Sequence, residues 1–166
     1  MKQTRPMALG AMITALSIVM MLLGAVLELG IYAAPMLCGL LLIPLGHQWG
    51  VKYQTACYIA VSLLSFLLVP NAEQNLIYTG LFGWYPIARP LFQKLPPLLR
   101  FFVKTVIFNL VILVVEALVL FIFVPEALTT GMITLLLVLA NITFWAYDLV
   151  IPKAEVMIAQ IFKRAK

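Results

Sequence analysis

Apolar residues run along this chain in long blocks, separated by short stretches that carry proline, glycine or charge. The blocks cover residues 7–27, 33–45, 53–69, 76–91, 101–124 and 131–151. Most are near the ~20 apolar residues that a membrane-crossing helix needs. They lack the alternation of apolar and polar positions that marks the short strands of a membrane barrel. Each block is therefore predicted as a helix. Pro70-Asn71, Pro125 and Pro152 are expected to end the third, fifth and sixth, because proline removes a helical N–H and crowds the preceding turn. The second block is short, with Pro35 and Pro44 marking its ends. The fourth contains Gly80, Gly83 and Pro86, and a kink is expected at Pro86. The first block follows Lys2 and Arg5 but is too long for a signal peptide and has no convincing cleavage site, so it is read as a retained span.

Composition points the same way. Hydrophobic residues make up 64% of the 166, and charged residues only 10%; a soluble domain carries about 25% charged residues. The net charge of +5 is no sign of nucleic-acid binding, because no basic patch carries interleaved aromatics or a recognition motif. The basic residues are topological instead. With the N-terminus inside, all 11 Lys and Arg fall on the inner side. The outer connections around residues 28–32, 71–75 and 125–130 hold none. This follows the positive-inside rule. The fold class expected is an all-α polytopic membrane protein, a six-transmembrane-helix bundle with both termini cytoplasmic. Residues 1–152 form the membrane domain. Residues 153–166 form an amphipathic tail, with Val156, Met157, Ile161 and Phe162 toward the inner leaflet and Lys163, Arg164 and Lys166 toward anionic headgroups.

Candidate chemistry is sparse. No Gly-rich phosphate loop is present, His47 stands alone at an inner helix end, and Cys38 and Cys57 sit inside apolar runs as small packing residues. No catalytic group, cofactor or metal site is expected. The informative residues are polar groups inside apolar blocks, since these are costly in lipid and usually face the bundle interior or a cavity. Glu116 interrupts the fifth block, with Asn109 two turns earlier. Asn141 and Trp145 share one face of the sixth, and Asp148 lies near its inner end, in reach of Lys153 or another inner-side base. Glu28 closes the first block; Asn75, Tyr78 and Thr79 open the fourth. In one reading Glu28, Asn75, Tyr78, Glu116 and Asn141 line an outward-facing pocket whose carboxylates favour a small cationic or amine-bearing ligand. In the other, Glu116 is protonated or hydrogen-bonded between helices and the rest are interfacial. Trp49, Trp84, Tyr32 and Tyr53 fit an aromatic belt as well as any ligand site. Ala11 and Ala15 are small residues four apart that let another helix approach, and Ala56 and Ala60 repeat the spacing.

Four features give a resemblance. They are the size and six-helix plan; the opening Met7-Ala8-Leu9-Gly10-Ala11-Met12-Ile13-Thr14-Ala15; the stretch from Ala34-Pro35 through Gly39 and Pro44 to Gly46; and Gly83-Trp84-Tyr85-Pro86. Together they resemble the substrate-capturing S components of energy-coupling factor transporters, the vitamin-uptake ABC systems of bacteria. The resemblance implies a subunit of the bacterial cytoplasmic membrane that binds a micronutrient from outside. It implies docking through the first helix, at Ala11 and Ala15, on a membrane coupling subunit driven by a pair of separate ATPases. Two alternatives stand beside it. One is a scaffold resembling the MreD cell-shape family, although residues 39–43 lack the aspartate of that family's Gly-Leu-Leu-x-Asp stretch. The other is a small secondary transporter using Glu116 as a proton or cation site.

Overall fold

A computed structural model describes residues 4–27, 30–123 and 130–164. The helices are α1 (Thr4–Val26), α2 (Gly30–Leu41), α3 (Ile43–Trp49), α4 (Val51–Leu68), α5 (Ala72–Ile77), α6 (Tyr85–Phe92), α7 (Pro97–Phe123) and α8 (Thr130–Arg164), with a π-helical turn, Tyr78–Phe82, between α5 and α6. No strand occurs among the described residues.

Four helices are long and apolar enough to cross a membrane: α1, α4, Pro97–Leu118 of α7 and Leu137–Gln160 of α8. Their outward faces are hydrophobic. Leu16 and Leu23 on α1, Leu63 and Leu67 on α4, Leu110 on α7, and Ile142 and Leu149 on α8 are all exposed. Such faces are the reverse of a soluble bundle, where exposed contiguous apolar surface is rare.

The second and fourth blocks differ from the rest. Each is an interrupted helical stretch rather than one helix. The break between α2 and α3 falls at Leu42, and Pro44 sits in the first turn of α3, where its missing N–H costs nothing. Pro35, expected at a helix end, lies inside α2. Gly50, at a φ of 91°, closes the tight turn from α3 into α4; that left-handed backbone suits glycine alone among common residues. Asn71 opens α5 by accepting the Gln74 N–H at 2.9 Å.

Packing explains why the interrupted stretches survive. One apolar cluster joins α1, α2, α3 and α4 through Met21, Cys38, Leu42, Leu45, Cys57 and Val61. A second joins α5, α6, α7 and α8 through Ile77, Leu81, Phe82, Tyr85, Phe108, Phe144 and Tyr147. The π-helical turn serves both, sending Tyr78 into the first cluster and Leu81 and Phe82 into the second. The irregular backbone is thus covered by protein, the condition under which it is tolerated at membrane depth.

The sixth helix does not stop at Pro152. The α8 helix continues through it to Arg164. Ala154 and Ile158 pack on the second cluster and Glu155 reaches Arg89, so tertiary contacts carry the helix past the proline. Pro125, expected to end the fifth helix, and the terminal Lys166 lie outside the described residues, and the side chains of Ile161, Phe162, Lys163 and Arg164 are likewise not described.

Candidate functional site

The site grows out of the π-helical turn. Its i→i+5 bond runs from the Gly83 N–H to the Tyr78 carbonyl at 2.8 Å. A widened turn leaves carbonyls without helical donors, and Pro86 withholds a further donor from the Phe82 carbonyl four residues back. Three side chains supply what is missing. Tyr58 Oη donates to Thr79 O at 2.8 Å, Trp84 Nε1 to Gly80 O at 2.6 Å, and Tyr147 Oη to Phe82 O at 3.2 Å. Donors from α4 and α8 therefore fasten the irregular turn. Gly39 of α2 packs against the same point: a Cβ there would collide with Phe82 O and Tyr147 Oη.

Beside this turn lies a cavity of about 280 Å³. Its walls come from α2 (Tyr32), α5 (Ile77), the π-helical turn (Leu81, Phe82), α7 (Phe108, Ile112, Glu116) and α8 (Leu139, Ala140, Thr143). Apolar walls with a few polar groups are the usual composition of a small-molecule site, and this volume lies at the small end of that range. Glu116 is the one acidic residue among the described lining residues. Tyr32, half-exposed at the rim, donates from Oη to Glu73 Oε1 at 2.7 Å. The helices alternate in direction, so Tyr32, Glu73 and Glu116 gather at one end. Arg89 and Lys104 lie toward the other, beside Asp148. No Lys or Arg among the described residues faces the acidic end.

Toward the basic end, α6, α7 and α8 enclose an ion cluster. Lys104 Nζ donates to Asp148 Oδ1 at 2.9 Å and Oδ2 at 2.8 Å. Arg89 Nε donates to Asp148 Oδ1 at 3.3 Å, and Tyr85 Oη donates to the same oxygen. Arg89 Nη1 also reaches Glu155, at 3.3 Å. The side chains of Arg89 and Lys104 are only 9% and 5% exposed, so their charges depend on these partners. Lys104 also sits 5.7 Å from the centre of the Tyr85 ring.

Asn109 and Asn141 form a reciprocal amide pair between α7 and α8, with Nδ2–Oδ1 distances of 3.0 and 2.8 Å. Each Nδ2 also bonds a carbonyl one turn back, Thr105 O and Leu137 O. Both amides are spent on joining two helices.

The residues expected to share a pocket are dispersed. Glu116 lines the cavity. Asn75, buried at 2%, donates to Val69 O at 3.0 Å and lies away from the lining. Tyr78, fully buried, points into the α1–α4 cluster. Asn141 borders an open groove on α8 with Leu137 and Trp145 instead. Glu28 lies outside the described residues. Ala11 and Ala15 are both exposed on α1, turned away from Ile13, Thr14, Ser17 and Ile18, which are buried. Asp148 pairs with Lys104 and Arg89 rather than with Lys153. Sequence reasoning missed Thr143 as a cavity residue and Tyr85 as a partner of Asp148; it left Tyr32 open between aromatic belt and ligand site, and did not choose among the inner-side bases for Asp148. The spacing of Lys104, Phe108, Ile112 and Glu116 along one helix face was the available signal.

No family model, no curated protein and no solved structure matches this chain.

Proposed function

We propose that the protein is a substrate-binding membrane subunit of the energy-coupling factor type. In this reading the chain crosses the bacterial cytoplasmic membrane six times with both ends inside. It takes a small cationic micronutrient from the outer side and depends on a coupling subunit and an ATPase pair for release. The observation that carries the reading is the cavity at the acidic end, with Glu116 as the one acidic residue among its described walls and Tyr32 at its mouth. A carboxylate in apolar surroundings selects a cation, and aromatic and aliphatic walls accommodate an apolar body. Two further features agree. The α2–α3 and α5–α6 stretches occupy residues 30–49 and 72–92; at 1.5 Å per residue each reaches about 30 Å, a bilayer's apolar thickness. The exposed Ala11 and Ala15 leave a smooth strip on α1 for close approach of a partner helix.

The test is purification of the tagged protein from its native membrane in mild detergent. Co-purification of an ATPase pair and a second membrane subunit, lost in Ala11→Trp, is the expected result. Recovery of cell-wall or cytoskeletal proteins instead would transfer the reading to a scaffold. The buried Lys104–Asp148–Arg89 cluster favours a second reading, a proton- or cation-coupled carrier, because ionisable groups at membrane depth mark ion pathways. Liposomes containing this protein alone separate the two: a carrier transports without any ATPase and stops on Glu116→Gln, whereas a capture subunit is silent.

A further inference from the structure

The ion cluster adjoins the cavity floor. Leu81, Phe82 and Phe108 line both the cavity and a cleft below it, and Trp84, Tyr85 and Lys104 line the cleft's far side. The cleft measures about 10 Å³, the space of a single water molecule. On α7, Lys104, Phe108, Ile112 and Glu116 recur every four residues, so one face of one helix runs from ammonium to carboxylate over about 18 Å.

The two poles are unlike. Of the three N–H donors of Lys104, two meet the oxygens of Asp148. The third meets no acceptor among the described residues. Asp148 is also shared with Arg89 and Tyr85, so two buried cations face one partly buried carboxylate; Glu155, the second acid, has a side chain 36% exposed. The inner pole is short of negative charge and of one acceptor. The outer pole has Glu116, with Glu73 at the rim and no basic counterpart among the described residues.

We infer that Lys104 is a specificity-determining residue and that the ligand is bipolar. It carries an amine at one end, an anionic group such as a carboxylate at the other, and an apolar body between. The ammonium meets Glu116. The carboxylate accepts the remaining N–H of Lys104, directly or through a single water, for which a cleft of this size has room. This rests on the cavity being the ligand site, and the experiment separates the two claims.

The full-length protein in detergent is titrated with straight-chain ω-amino carboxylates of increasing length and with n-alkylamines of the same lengths, and affinity is read from thermal unfolding. The expected result is that both classes bind and both lose binding in Glu116→Gln. The best-fitting amino carboxylate binds about tenfold or more tighter than its amine, as a charge-assisted hydrogen bond provides. Lys104→Met abolishes that difference and leaves amine affinity unchanged. Should Lys104→Met not fold, Lys104→Met/Asp148→Asn removes both charges of the pair and serves in its place; the comparison of the two probe classes on the unmodified protein is decisive in any case. If amines bind but the carboxylate adds nothing, the bipolar ligand is overturned and the cavity reading stands. If neither class binds, both fall.

Discussion

At the scale of single residues, the chain places its polar groups in pairs and clusters that differ in what they cost to break. Asp148 is the shared partner of two buried cations, so Asp148→Asn strands Lys104 and leaves Arg89 with Glu155 alone. We expect a loss of about 3 kcal/mol or more, and a smaller loss when Lys104→Met is added, because the double variant removes a charge pair rather than half of one. Unfolding of the two variants in mixed micelles checks the order; equal or reversed losses would show that the cluster is not buried as a unit. The Asn109–Asn141 pair makes a milder prediction. A double-mutant cycle with Leu at both positions is expected to give a coupling of roughly 0.6–1.7 kcal/mol, and a coupling of zero would mean that the two amides do not meet. These pairings explain why the site was only partly legible beforehand. Hydropathy shows that Glu116, Asn109, Asn141 and Asp148 are out of place in apolar runs, but not which of them satisfy one another. Asn141 satisfies Asn109, and Asp148 satisfies Lys104; Glu116 lines the cavity. Lys104 was invisible as a buried residue because a lysine near a helix start looks like an interfacial anchor.

At the scale of elements, four of the six predicted blocks became single long helices, since length and apolar content decide that outcome locally. The other two were legible as weak from Pro35, Pro44, Gly80, Gly83 and Pro86, but their form was not. This π-helical turn is held by two tertiary donors, Tyr58 and Tyr147, 21 and 65 residues from the carbonyls they cap, and by a local one, Trp84, four residues away. Tyr147→Phe removes the donor to Phe82 O and is expected to cost about 1 kcal/mol. It is also expected to speed amide exchange at Gly83 and the following turn, as measured by hydrogen–deuterium exchange. Unchanged exchange would mean that the turn holds itself. Gly39→Ala tests the same joint from α2, because the added methyl has no room between Phe82 and Tyr147. The overpacking is expected to cost roughly 1–3 kcal/mol, and a wild-type melting point would contradict the close approach.

At the scale of the whole molecule, charge is divided between two ends, and the α1–α4 half and the α7–α8 half meet through the interrupted stretches. The sequence reading of basic residues on one side rests on alternating helix direction alone, and it puts Arg89 and Lys104 together, as they are in the ion cluster. The cavity was not legible, because its walls come from five separate segments. Orientation can be read with a membrane-impermeant thiol reagent. Cys38 and Cys57 are buried, at 0% and 5% exposure, and are expected to be silent. Glu73→Cys is expected to label in intact cells and Lys94→Cys only after lysis; the opposite pattern would invert the topology. The claim on which the rest depends is that the Glu116 cavity holds a ligand. Native mass spectrometry of the protein released from its own membrane tests it most directly. The account predicts an added small-molecule mass on the wild-type protein that is absent from Glu116→Gln. The same mass retained on Glu116→Gln, or a bare wild-type protein from cells grown in rich medium, would contradict it.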